Sequence, residues 1–201
     1  MTIKRGAPWG RPAPATDVTN PHVVVTTDAG VAAAVTSGDA PAVVVRGGDL
    51  WRAVGSPEGP VSRELPIDVL RITADGVDVT AVAHIVAWRT GRLGPWRGPV
   101  VGAFNVDHVG PFDVAPEAHP NDGRFDVVEV ASGMSWRARW QARRRLPSGT
   151  HVPHPDISTR RVRHAEFSFE QPMAVRIDGV AVGPLTSCSV TIDPDAAVVL
   201  V

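Results

Sequence analysis

The tripeptide Gly47-Gly48-Asp49 directly follows an apolar run, Ala42–Arg46. Glycines at a strand end let backbone amides come close to a phosphate, and an adjacent carboxylate can hold Mg²⁺. A plain strand-ending turn that needs a positive φ uses the same residues. A second polar constellation is Pro116-Glu117-Ala118-His119-Pro120-Asn121-Asp122-Gly123-Arg124-Phe125-Asp126. Its carboxylates and loop carbonyls suit a hard cation, with Asp122 at the turn as the candidate ligand; a polar hairpin connection has the same composition. The third is a basic helix expected over Ser135–Leu146. Trp136 and Trp140 stand four residues apart and share a face. Arg137, Arg139, Arg143, Arg144 and Arg145 surround them. Such a helix lies in a membrane interface or meets an anion through Arg143, Arg144 and Arg145. It equally covers a sheet with its Trp face and leaves its arginines solvated. With Arg160, Arg161 and Arg163, eight of the 20 basic residues fall between Arg137 and Arg163.

Other chemistry is sparse. His151-x-x-His154-x-Asp156 has ligand types for Zn²⁺ or Mn²⁺ but lacks helical i, i+4 spacing. There is no G-x-S-x-G elbow and no G-x-x-x-x-G-K-[ST] loop. Lys4 is the only lysine, and Cys188 the only cysteine, so an intramolecular disulfide is impossible. A formal net charge of −1 gives no global pull toward nucleic acid. No apolar run reaches the roughly 18 residues that span a bilayer. Met1–Pro14 has no apolar stretch of a secretory signal, so a cytoplasmic location is expected.

The 201 residues include 19 Gly and 19 Pro, which break helix interiors and favour short strands and turns. Residues 1–20 read as an irregular arm. His22–Thr27 is largely β-branched. Asp28 caps an expected helix over Ala29–Thr36, and Ala42–Arg46 forms the next strand. This βαβ pattern points to a parallel pair. Leu50–Val54 begins a short helix. Ser56–Arg63 reads as a linker, which divides the chain into 1–62 and 63–201. Beyond it come strands at Ile67–Thr73, Val77–Trp88, Val100–Val109, Phe125–Val130, Glu166–Phe169, Met173–Ile177, Val180–Val182, Ser187–Ile192 and Ala197–Val201. Asp75-Gly76 and Asp178-Gly179 mark hairpins. The expected class is α+β, mostly β: a small α/β (βαβ) N-terminal lobe plus a β-sandwich-like C-terminal domain. Exposed sandwich edges and a small first lobe need covering, which a homodimer would provide.

The passage Asp113-Val114-Ala115-Pro116 through Asn121-Asp122-Gly123-Arg124-Phe125-Asp126-Val127 resembles the "V-A-P-x-A-x-P-x-D-G-x-L-D-V" passage of the bacterial diacylglycerol and lipid kinases. A basic helix, Gly149-Thr150-His151 and a strand over Arg163–Phe169 follow in that family's order. Val175-Arg176-Ile177-Asp178-Gly179 is similar to its "V-x-x-D-G-E" hairpin. The similarity spans Pro66–Val201, and Gly47-Gly48-Asp49 reads as a remnant of the family's Gly-Gly-Asp-Gly-Thr nucleotide motif. The resemblance implies a nucleotide-binding lobe, a β-sandwich, and a lipid site in the cleft between them. It further implies ATP- and Mg²⁺-dependent phosphoryl transfer to a hydroxyl.

Four departures bear on that activity. Leu50-Trp51 replaces Gly-Thr, and bulky side chains there are expected to obstruct a phosphate. Val180 stands where the family has its glutamate base, and valine accepts no proton. The "P-x-G-T-x-N-D" stretch has no counterpart between Asp49 and Asp68. Only 46 residues precede Gly47, short of a full nucleotide lobe. The expectation is therefore a lipid-kinase-like protein without a catalytic residue in the family's position. It binds a phosphate-bearing or lipid ligand, or a protein partner, with Gly47, Gly48 and Asp49 on the phosphate side. Arg143–Arg145 are expected to face a membrane surface, as a peripheral contact, or an anionic group, and nucleic acid is not expected as a partner. The alternative is a divergent kinase whose base is Asp49, Asp107 or His108.

Overall fold

A computed structural model of the chain describes residues 9–13, 22–38 and 42–201. All of the expected N-terminal arm except 9–13 lies outside the described residues. Two short valine runs, β2 (Val23–Val25) and β3 (Val43–Val45), pair in parallel and flank helix α1 (Asp28–Ser37). Their β-branched side chains suit a sheet covered on its faces, and β3 is wholly buried. The α1 N-cap is Thr27, which accepts from the Gly30 amide at 3.1 Å; Asp28, expected as the cap, is already helical. A short helix α2 (Gly48–Ala53) follows. A two-residue strand β1 (Arg11–Pro12) pairs with the start of β4 (Arg63–Ala74).

The remaining strands are β5 (Val77–Ala81), β6 (His84–Arg89), β7 (Val100–Phe104), β8 (His108–Val109), β9 (Phe112–Asp113), β10 (Phe125–Val130), β11 (Ile157–Val162), β12 (His164–Ile177) and β13 (Val180–Leu200). Helix α3 (Trp136–Arg145) interrupts them. The main sheet runs β1-β4-β13-β12-β6-β7-β10-β11, with β5 on β4 and the pair β2-β3 attached through β3. All pairings are antiparallel except β2-β3 and β3-β13. Long β12 and β13 change register between Ser168 and Met173 and between Asp193 and Ala197, so each bends and serves two layers. The result is α+β, mostly β, with a sandwich-like body.

Strand β4 is the shared wall. Ile67 and Val69 face α1, α2 and the valine strands, while Leu70, Ile72 and Ala74 face the sandwich interior. Alternation along one strand thus feeds two cores. Pairing of β3 with β13 carries the hydrogen-bonded sheet across residue 62, where the composition suggested a linker. Several strands run longer than expected: β13 joins three expected segments and β12 two. The expected Val77–Trp88 strand instead breaks at Val82-Ala83, and β11 was not foreseen.

That break has a cause. Asp178 sits at φ 47° and Gly179 at 80°, the left-handed pair of a two-residue hairpin. The turn brings the Asp178 carboxylate under the β5–β6 corner, where it accepts from the amides of Val82 (2.8 Å), Ala83 (3.0 Å) and His84 (2.9 Å). Asp68, fully buried on β4, does the same for a second corner. It accepts from the amides of Gly123 at 2.6 Å and Asp195 at 2.9 Å. Asp178→Ala leaves three buried amides without acceptors and should destabilise the fold by about 3 kcal/mol or more in urea unfolding. A loss below about 1 kcal/mol would contradict this role.

Candidate functional site

Gly47, Gly48 and Asp49 open α2, and their turn packs against the first βα connection. A Cβ on Gly47 would stand 2.4 Å from the Thr26 carbonyl oxygen, and one on Gly48 2.4 Å from Asp28 Oδ1. The glycines therefore bring the turn close to a carboxylate of the same chain. Asp28 Oδ2 accepts from the Asp49 amide at 2.7 Å, and Oδ1 from the Leu50 amide at 2.9 Å. The Asp49 amide belongs to the turn that the sequence offered to a phosphate. Leu50 does not obstruct them as expected, since its side chain is fully buried in the core. The group in front of them is Asp28.

Asp49 points away from its own turn. Its Oδ2 lies 3.0 Å from His84 Nε2, and its Oδ1 accepts from the Gly110 amide at 2.8 Å. Asp28, Asp49, His84 and Asp178 thus form one largely buried network. Burial pushes the Asp28 carboxyl up to about 6; its two amide bonds oppose this, and the charges of Asp178 and Asp49 add to it. Burial likewise raises Asp178. For His84 burial disfavours the charged ring, yet the Asp49 hydrogen bond and the charges of Asp178, Asp49 and Asp28 outweigh it and raise its pKa.

Gly110 lies in the hairpin joining β8 and β9, which carries the other alternative bases. His108 Nδ1 is 2.8 Å from Asp107 Oδ1, within ion-pair distance but outside hydrogen-bonding geometry. The Asp107 carbonyl accepts from the amides of Val114 and Ala115. Asp49, Asp107 and His108 are therefore gathered around one hairpin, with Asp49 engaged by His84 and Gly110.

The acidic turn is organised differently from expectation. Asp122 Oδ1 accepts from the Arg124 amide at 3.0 Å. The Arg161 guanidinium lies 3.7 Å from Asp122, 2.9 Å from Asp126 and 3.5 Å from Glu117. An internal cation thus faces the turn, and the carboxylate buried inside it is Asp68. His154 Nδ1 accepts from the Asp156 amide, while His151 faces a cavity. Among the described residues no group of three or more His, Cys, Asp or Glu side chains is placed to hold a metal ion.

Helix α3 inverts the sheet-covering reading. Trp136 is 69% exposed and Trp140 48%, while Arg139 is buried. Arg139 donates to the carbonyls of Met134 (3.1 Å), Pro95 (2.9 Å), Ala131 (2.9 Å) and Gly98 (2.5 Å). Five fixed donors suit a ring of carbonyls, which explains why a charged residue occupies the inner face. The tryptophans then face outward with cations on their rings: Arg144 is 4.8 Å from the Trp140 centroid and Arg137 5.8 Å from that of Trp136. Arg143 stacks on Trp96 at 5.5 Å and on Phe112 at 4.8 Å, and Arg145 is exposed. Beneath α3 lies an apolar cavity of about 240 Å³, lined by Phe104, Val114, Val128, Met134, Ala142 and Leu146 among others. The arginine-rich stretch does not form a single surface, because Arg139 is internal and Arg161 is paired.

The expected sites thus converge in part. Asp49, Asp107 and His108 come together, whereas Asp122 and Arg143–Arg145 belong to other regions. Asp28, His84, Asp178 and Asp68 were not singled out as site residues. The Asp-Gly pair at 178–179 was the one available signal, and it read as a turn. Asp28 gives a direct test. Its folded pKa of about 6 lies above the ordinary carboxylate value of about 3.9, so its stabilising contribution is present below about pH 4 and lost as pH rises through 6. The unfolding free energy of the wild type minus that of Asp28→Asn should fall by up to about 3 kcal/mol between pH 4 and 7. A pH-independent difference in urea titrations would refute the assignment.

Residues 69–201 match the family described as the YegS C-terminal NAD kinase beta sandwich-like domain. No curated protein matches the sequence. Among solved structures, a candidate diacylglycerol kinase from Bacillus anthracis str. Sterne superposes with a TM-score of 0.64 at 15% identity, covering 89% of this chain and 76% of that one. A diacylglycerol kinase from the same strain gives 0.58 at 13% identity, covering 89% and 75%. These likenesses establish a shared fold with those proteins. The match over two thirds of the sequence, on the sandwich that carries the α3 cavity and the Asp178 hairpin, places the chain in the YegS C-terminal NAD kinase beta sandwich-like domain family.

Proposed function

We propose that this lipid-kinase-like protein holds an amphiphile beneath α3 at a membrane surface and does not transfer phosphate. The apolar cavity carries the reading. It is roofed by the one helix whose outer face presents tryptophans and arginines, so a chain leaving a bilayer has a short path into it. The description of the solved relatives as diacylglycerol kinases supports a lipid as the ligand class. Phosphoryl transfer needs amides facing phosphate, charge neutralisation and a base. Here Asp28 faces those amides, Asp49 is engaged by His84 and Gly110, and Val180 is an exposed apolar residue at the family's glutamate position.

Trp side chains favour the interfacial layer, and arginines are drawn to anionic head groups. No helix among the described residues is long and apolar enough to cross a membrane. The contact proposed is peripheral: Trp136 and Trp140 sit at head-group depth, with Arg137, Arg143, Arg144 and Arg145 around them.

Two outcomes follow. Decanol should raise the thermal midpoint of the wild-type protein and not that of Ala142→Phe, which fills the cavity from its roof; equal shifts in both would place the alcohol elsewhere. In flotation with phosphatidylglycerol vesicles, the protein should rise with the lipid, and Trp136→Ala/Trp140→Ala should lower the floated fraction several-fold. Unchanged flotation of the double variant would remove α3 as the contact.

A further inference from the structure

Three side chains with ionisable groups stand in the otherwise apolar wall of the α3 cavity: Arg139, Arg143 and His151. Arg139 donates to four backbone carbonyls. Arg143 is exposed and stacks on Trp96 and Phe112. His151 differs from both. Gly149, left-handed at φ 65°, ends the turn after α3, and His151 follows it into the wall. The ring is 3% exposed, and among the described residues neither Nδ1 nor Nε2 has a hydrogen-bond partner. Buried polar groups are paired as a rule, because an unpaired one has given up water for nothing. His151 thus brings unmet hydrogen-bonding capacity to the cavity.

The state of the ring limits what can meet it. Burial lowers its pKa, opposed by the Val114 backbone and the Asp113 charge, so the imidazole is neutral at neutral pH. The Val114 backbone approaches the ring without reaching hydrogen-bond geometry. A neutral imidazole has one nitrogen that donates and one that accepts. A hydroxyl does both, so it bonds whichever nitrogen it meets, in either tautomer. An ammonium only donates, and a carboxylate only accepts. Each also carries a charge that an apolar cavity does not solvate.

We infer that His151 is the specificity-determining residue of the α3 cavity and holds an uncharged, hydroxyl-bearing apolar ligand by that hydroxyl. The inference rests on the proposed cavity function and adds the chemistry of the group held there. Gly47, Gly48 and Asp49 contribute nothing to this wall. The hydroxyl on His151 is therefore buried in the cavity and is not one presented to the glycine turn.

Calorimetric titration of the full chain at neutral pH with benzyl alcohol, toluene, benzylamine and benzoate tests it. An apolar cavity of about 150 Å³ holds benzene, so one of about 240 Å³ has room for this set. Benzyl alcohol should bind at least about tenfold more tightly than the two charged compounds. His151→Leu should weaken benzyl alcohol about tenfold and change toluene less than about twofold. If that variant does not fold, the His151 ring-nitrogen resonances of the wild type carry the test. They should move markedly further with benzyl alcohol than with toluene. Equal loss of alcohol and toluene in the variant, unaltered alcohol binding, or equal resonance shifts overturn the His151 assignment and leave the cavity reading standing. Failure of all four compounds to bind overturns both.

Discussion

The Asp28 carboxylate against the amides of Asp49 and Leu50 is the contact on which the arrangement of the site depends. It joins the start of α1 to the start of α2 and brings the glycine turn against the first βα connection. With the turn so placed, Asp49 reaches His84 and the Gly110 amide, tying the β2-β3 unit to the sandwich at two more points. Asp178 supports the opposite side of His84 by binding its amide and those of Val82 and Ala83. Burying several carboxylates together is costly unless amides and a cation compensate. Six backbone amides and the His84 ring provide that compensation here. The same amide-rich turn that suits a phosphate suits an internal carboxylate, and the chain supplies one.

A second internal charge sets the outer surface. Arg139 satisfies the carbonyls of Met134, Pro95, Gly98 and Ala131, which fixes the rotation of α3 about its axis. With Arg139 inward, helical geometry turns Trp140 about 100° away and outward, while Trp136, at the first position of the helix, is exposed. Small residues on the inner side, Ala138 and Ala142, keep the helix close without filling the space below it. One buried guanidinium therefore accounts for the outward turn of Trp140 and for the small-residue face of α3 over the apolar cavity.

Local patterns carried much of the fold. Valine runs around a capped helix indicated the parallel pair, and the two Asp-Gly turns marked hairpins that the structure contains. Strand lengths were less legible. Pro172, Pro184 and Gly183 look like breaks, but edge-free pairing and bulges carry β12 and β13 through them. The orientation of α3 was hidden because tryptophans on one face ordinarily signal a core, and only the carbonyl ring assembled from residues 95, 98, 131 and 134 explains an arginine there. Asp28 looked like a helix cap because its true partner lies 21 residues away in sequence, at a contact no local pattern encodes. The Asp122 turn was visible, but Arg161 and Asp68 reach it from strands distant in sequence.

A nucleotide can bind at the start of α2 only if the amides there are free of Asp28. Calorimetric titration of the wild-type protein with ATP and Mg²⁺ measures this directly. With Asp28 bound to those amides, no saturable heat of binding is predicted. Saturable ATP binding in the micromolar range, abolished by bulk at Gly48, would contradict it and return the chain to the phosphoryl-transfer enzymes it resembles.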